Sequence, residues 1–422
     1  MMYNKSLLTH GGIMELNNLK NNNGVYLYRD EGFNTFSIQL NFLASQDNRS
    51  SAILDLLSIY LLQCNQIYKT DDDIILKLRE LYDMSINFTT KWNGKQKLFS
   101  LVADLISMDV IHDDYSKEAF EFIRDILEKP NFENEKMLEV SKRKLLSYID
   151  LNLADYDQYA ETLYNQTVLP VENTKYDYSV DKKYLEELVN SITLEDIKRE
   201  YENLMGNFIN GLVLGNINEE QFNEFVKCIN LTPINRELDF SMDVKTTEGN
   251  IEVVKDCEQS YIFITYDFTE LTYAQVKVLY WMLNSSIGLC YQVLREKYGL
   301  VYGAYANILF HEKKLYIYGE TNVSKKEKFI EAVDEIIKDL SNREIVEKYM
   351  TQAKEEIADD EYSLSEDKDR LFEIINNRIL QVFGNQDSVN KEIEDMQPEE
   401  LMNKTKVLTR KNIFMVRSKT NE

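Results

Sequence analysis

The chain has 422 residues, 44% of them hydrophobic and 28% charged, the balance of a soluble globular protein with room for about two or three domains. Its formal charge of −24 opposes binding to phosphate backbones, so nucleic acid is excluded as an expected partner. With only 4 prolines and 14 glycines, long low-complexity segments are excluded too, and no apolar run reaches the roughly 18 residues that a membrane span needs.

The opening MMYNKSLLTHGGIMEL lacks the apolar core of a signal peptide, so a cytoplasmic location is expected. Asn21-Asn-Asn-Gly24 reads as a tight turn before the first strand. Phe36, Ile38, Leu40 and Phe42 alternate with polar residues, which predicts a strand with one buried face. A helix from Ala52 to Leu62 follows, and Asp71-Asp-Asp73 reads as the acidic start of another. Strands are predicted at Ile86 to Thr90 and Lys97 to Val102, and a helix at Tyr115 to Leu127. Ile192-Thr-Leu-Glu-Asp-Ile197 opens a helix with Thr193 as its N-cap, and the apolar strand Leu212-Val-Leu214 closes this half.

The second half repeats the order. Ile262, Ile264, Tyr266 and Phe268 alternate, a helix runs from Tyr273 to Leu283, strands cover Tyr302 to Phe310 and Lys314 to Tyr318, and Lys328 to Leu340 is helical. Pro398 starts a helix at its first position, and Ile413-Phe-Met-Val416 is the closing strand. Leu78-Arg-Glu-Leu-Tyr-Asp83 and Leu294-Arg-Glu-Lys-Tyr-Gly299 are echoes, and the two closing segments echo each other at a similar offset. Two echoes in one order indicate duplication. The expected fold class is α+β, as two duplicated domains at 1–217 and 251–422, each an antiparallel sheet with helices packed on one face. The polar stretch 218–250 is expected to link them.

Leu294-Arg-Glu-Lys-Tyr-Gly-Leu-Val-Tyr302 resembles the LRE-x-x-G-L-x-Y motif in the C-terminal domain of pitrilysin/insulinase-type peptidases. Ile192 to Ile197, followed by Val213-Leu-Gly-Asn216, is similar to the close of that family's first domain. Active members carry an inverted zinc motif, H-x-x-E-H, on the first long helix. Aligned on the Ile67-Tyr68 that follows the helix Ala52 to Leu62, the motif positions here hold Asp55, Ser58 and Ile59, which supply neither nitrogen ligands nor a general base. The three histidines, His10, His112 and His311, are isolated from one another, so no zinc is expected on this chain. Cys64, Cys228, Cys257 and Cys290 form no CxxC pair and read as reduced core thiols.

The resemblance therefore implies a zinc-less subunit, inactive alone, paired with an H-x-x-E-H subunit of similar size that holds the zinc. It implies that Arg295 and Tyr302 act in the partner's active site. The chemistry is sound: a tyrosine hydroxyl can donate to the oxygen that gains charge during peptide hydrolysis, and a guanidinium fork can hold carbonyls. Alone, an arginine near a helix end and one of 27 tyrosines are unremarkable; their joint spacing with Gly299 and Leu300 distinguishes them. The strand Ile86-Asn87-Phe88-Thr89 is expected to be an edge that takes an extended peptide by strand addition. Short or unfolded peptides are the implied substrates, leaders of ribosomally made peptides among them. The alternative is a non-catalytic peptide-binding or scaffold protein, as in the respiratory-complex core subunits that resemble this family.

Overall fold

The computed structural model describes residues 19–363 and 366–419; His10 and the rest of the opening segment lie outside the described residues. Among the described residues, eleven strands form two sheets. The first comprises β1 (Lys20–Asn22), β2 (Val25–Arg29), β3 (Thr35–Leu43), β4 (Ser85–Asn93), β5 (Gln96–Ile106) and β6 (Phe208–Gly215), ordered β1-β2-β6-β3-β5-β4. The second comprises β7 (Gly249–Lys255), β8 (Ser260–Asp267), β9 (Ala304–Leu309), β10 (Lys314–Thr321) and β11 (Thr409–Ser418), ordered β7-β11-β8-β10-β9. Apart from β1 the two orders coincide strand for strand. Even the single parallel pair recurs, β2 with β6 and β7 with β11, amid antiparallel neighbours. The duplication read from two short echoes is thus a duplication of topology.

Local chemistry explains where elements start and stop. Asn23 and Gly24 take positive φ in the β1–β2 hairpin, a tight-turn geometry that the Asn-Gly pair accommodates. Thr70 and Thr193 each cap a helix whose third residue, Asp73 or Asp196, returns the bond to the cap's own N–H. Pro398 stands at the start of the helix Pro398–Thr405, where its missing N–H costs nothing.

The alternation at β3 predicted one buried face, but both are covered. Phe36, Ile38, Leu40 and Phe42 enter the first core beneath the helices Asn48–Tyr60 and Ser116–Glu128. On the opposite face, Ser37 and Asn41 are also buried. The cover there is the helix Lys368–Ile379 from the second half, whose Leu371, Phe372 and Ile375 pack against Leu212 and Leu214 of β6. Asn41 Nδ2 donates to Asn376 on that helix at 2.9 Å and to Asn210 at 3.0 Å, while its Oδ1 accepts from Ser100. The polar alternation was real; a hydrogen-bonded helix, rather than water, covers it.

The exchange is mutual. The helix Tyr156–Val168 of the first half packs Ala160, Leu163, Tyr164 and Val168 against Tyr261, Phe263, Tyr316 and Phe414 of the second sheet. The Tyr164 ring stacks on Phe263 with centroids 4.6 Å apart, and its hydroxyl shares a 2.8 Å bond with Thr265. Each half therefore completes the other.

The span 218–250 divides in two. Asn218 caps the helix Glu219–Ile229, which buries Phe222, Phe225 and Ile229 in the first core. Only 230–248 runs without helix or strand, and its Phe240 packs with Leu43, Leu98, Leu380 and Val382.

Candidate functional site

The echo Leu294-Arg-Glu-Lys-Tyr-Gly299 lies on a π-helical stretch, Tyr291–Lys297, whose wide turns are rare and cluster at functional places. Tyr298 N bonds back five residues to Val293 O, and Leu300 N bonds back to Leu294 O at 2.9 Å. That last closure needs Gly299 at φ +58, a left-handed turn that glycine makes without penalty. The chain then bends at Tyr302 before entering β9, which begins at Ala304. Tyr302 was expected inside the strand. It precedes it, on a loop, and is 81% exposed.

That loop is pinned on its main chain. Arg295 Nη1 donates to the Tyr302 carbonyl at 2.9 Å, Thr321 Oγ1 to the Leu300 carbonyl at 2.9 Å, and Lys325 Nζ to the Gly299 carbonyl at 2.8 Å. The Arg295 guanidinium also lies over the Tyr291 ring, 5.2 Å from its centroid. A fixed backbone with a projecting phenol suits a side chain that must present its hydroxyl to something outside the chain.

Tyr302 borders a cavity of about 610 Å³ together with Tyr280, Tyr305 and Tyr318. Within the helix Tyr273–Asn284, Met282 and Leu283 are core, but Tyr280 points outward into this cavity, on the opposite side of the helix from Val278 and Met282. No sequence period marks which tyrosines of so many face the interior.

The three zinc-motif positions sit elsewhere, on the helix Asn48–Tyr60. Asp55, Ser58 and Ile59 line a cavity of about 560 Å³ together with Asn87, Phe88 and Thr89 of β4. Asp55 Oδ1 accepts from the Thr90 hydroxyl at 2.7 Å. Burial pushes the Asp55 carboxyl above its ordinary value, even though Lys97 and the Thr90 hydroxyl pull it down. Beside it, the Lys97 ammonium, almost fully buried, pairs with Asp177 at 2.7 Å. Among the described residues, no group of three or more His, Cys, Asp or Glu is placed to hold a metal ion. His112 ends a short helix in a left-handed turn, exposed. His311 is in the expected β9–β10 turn but half-buried, stacked at 7° on Phe383 with its Nε2 unpartnered.

β4 is the terminal strand of the first sheet, paired only with β5. Ile86 and Phe88 point into the core, whereas Asn87 and Thr89 are exposed. Only the main chain of Ile86 and Phe88 is therefore available at the edge. The Asp55 cavity and the Tyr302 cavity are not one site. A third cavity, of about 460 Å³, shares Asn152 with the first and Glu161, Asn307 and Tyr316 with the second, and so lies between them.

Residues 191–357 match the family profile of the peptidase M16 inactive domain. That part of the chain is similar to the domain of pitrilysin-type M16 peptidases that lacks the zinc motif. No curated protein matches it by sequence. Among solved structures, a conserved protein from Enterococcus faecalis V583 superposes with TM-score 0.77 at 17% identity, covering 94% of this chain and 97% of that one. A peptidase M16 inactive domain from Pseudomonas fluorescens gives TM-score 0.73 at 14% identity, covering 95% and 98%. The periplasmic protease PqqL from Escherichia coli gives TM-score 0.65 at 11% identity; 97% of this chain aligns with 46% of that one. At these identities the likeness is one of fold. Among the described residues no helix is long and apolar enough to cross a membrane.

Proposed function

We propose that this M16-type chain is the non-catalytic subunit of a heterodimeric zinc peptidase. Its partner is an H-x-x-E-H subunit of similar size that carries the zinc, and Arg295 and Tyr302 complete that partner's site. The observation that carries the reading is the geometry at Tyr302: an exposed phenol on a loop pinned at three carbonyls, in a chain whose own zinc-motif positions hold Asp55, Ser58 and Ile59. The alignment of this whole chain with about half of the PqqL protease supports a pairing of two such units. In the complex the Tyr302 hydroxyl donates to the developing oxyanion, and the unused donors of Arg295 hold a substrate carbonyl.

The substrate is a short or unfolded peptide, leaders of ribosomally made peptides included. It adds as a strand to β4, through the main chain of Ile86 to Thr89, with Asn87 and Thr89 offering side chains. The location is the cytoplasm: Cys64 and Cys290 are buried thiols, and burial pushes Cys290 up to about 12, which leaves it inert.

Purification of the tagged chain from its native cell, with sequencing of what accompanies it, tests the pairing. The expected companion is an H-x-x-E-H chain with one zinc, and the pair cleaves peptides that neither cleaves alone. Recovery of the chain without such a companion, or of a complex that binds peptides and cuts none, supports the scaffold alternative instead.

A further inference from the structure

The two domains share a strand order, so each ends in an equivalent edge, β4 in the first and β9 in the second. An open edge pairs with any extended chain. The two edges are treated differently. Asn284 closes the helix Tyr273–Asn284, and its carboxamide reaches Ala306 in the middle of β9. Oδ1 accepts from the Ala306 N–H at 2.7 Å, and Nδ2 donates to the Ala306 carbonyl at 2.8 Å. These are the two bonds that a neighbouring antiparallel strand would make to one residue. At β4, by contrast, the matching helix is tied side chain to side chain, Asp55 to the Thr90 hydroxyl. Among the described residues no side chain bonds the β4 main chain.

From this contrast we infer that Asn284 is a positioning residue. It closes the β9 edge against strand addition and fixes the main chain just beyond Tyr302. The inference rests on the proposed role of Tyr302. The helix that carries Asn284 cannot drift, because Val278, Leu279, Met282 and Leu283 are locked in the second core. Arg295 holds the Tyr302 carbonyl itself, and Asn284 holds the strand four residues on. The loop bearing the phenol is thereby anchored on both sides. β4 remains as the edge on which peptide can align.

Two measurements decide it. In the wild-type chain the Ala306 amide should exchange with solvent deuterium far more slowly than Ala304 and Ile308, whose amides share its outward direction, and Asn284→Ala should abolish that protection. In the active complex Asn284→Ala should lower kcat by up to about a hundredfold, as misplacement of a reacting group does, with KM little changed. Asn284→Asp, which keeps the acceptor for the Ala306 N–H, should fall between, and it serves if the alanine variant folds poorly. Asn284→Ala combined with Tyr302→Phe should be no slower than Tyr302→Phe alone. A wild-type Ala306 amide that exchanges like its neighbours overturns the clamp. Effects of the two substitutions that multiply independently overturn the positioning role. A verified complex without peptidase activity overturns the functional reading and the catalytic part with it, and the Ala306 amide still decides the clamp.

Discussion

The Arg295 guanidinium donates to the main-chain carbonyl of Tyr302 across 2.9 Å, so the two residues proposed to act in the partner's site are joined through backbone and not side chain to side chain. Arg295→Ala should therefore damage a complex twice, by freeing the Tyr302 loop and by removing donors to substrate. Both kcat and substrate affinity should fall. Arg295→Lys should not restore them, because an ammonium lacks the planar fork. Arg79, the exposed counterpart in the first half, is the control; its alanine variant should keep full activity in steady-state assays.

Burial disfavours the charged form of Asp55. Its carboxyl is held above the ordinary value, chiefly by burial. A carboxyl raised in the folded state favours its protonated form there, so the native state loses stability as pH rises from the unfolded value of about 4 through the folded one. Asp55→Asn removes that loss and keeps an oxygen for the Thr90 hydroxyl. Thermal melts should show the variant more stable than wild type at pH 7 and level with it near pH 4. A clear drop at pH 7 would mean that Asp55 is needed ionised.

Lys97 presents the opposite case, a buried ammonium whose bonded partner, Asp177, is itself mostly buried. Lys97→Met strands the Asp177 carboxylate, and breaking a buried pair in this way costs about 3–5 kcal/mol. Denaturant unfolding should register a loss of that order, against little or none for replacement of an exposed pair such as Lys91–Glu373.

Much of this molecule was legible in its residues. Alternation at Phe36 to Phe42 and Ile262 to Phe268 located the central strands, the Thr193 cap and the acidic turn Asp71 to Asp73 located helix starts, and the echo of Leu78 to Asp83 in Leu294 to Gly299 gave away the duplication. The mutual helix exchange was not legible. Nothing in the period of Tyr156–Val168 or Lys368–Ile379 says which sheet they cover, since an apolar stripe specifies a partner's chemistry and not its address. Asn284 was missed for a similar reason: a lone asparagine at a helix end reads as a terminator until β9 is seen beside it.

The exchange of helices should make the two halves unfold as one unit. Tyr164→Ala removes a fully buried ring that touches three aromatics of the other half, Phe263, Tyr316 and Phe414. It should cost about 3–5 kcal/mol. Calorimetry should show one cooperative transition moving down intact. Two resolved transitions, with the first domain unaffected, would mean that the halves fold independently.

The most direct test of the account is the kinetics of Tyr302→Phe in a complex whose assembly and zinc content are verified. Loss of one oxyanion donor costs about 2.7–4 kcal/mol in the transition state, a slowing of roughly a hundred- to a thousandfold in kcat. The account predicts a slowing of that size with zinc and assembly unchanged. Full activity in the phenylalanine variant would contradict it and leave Tyr302 as a surface side chain.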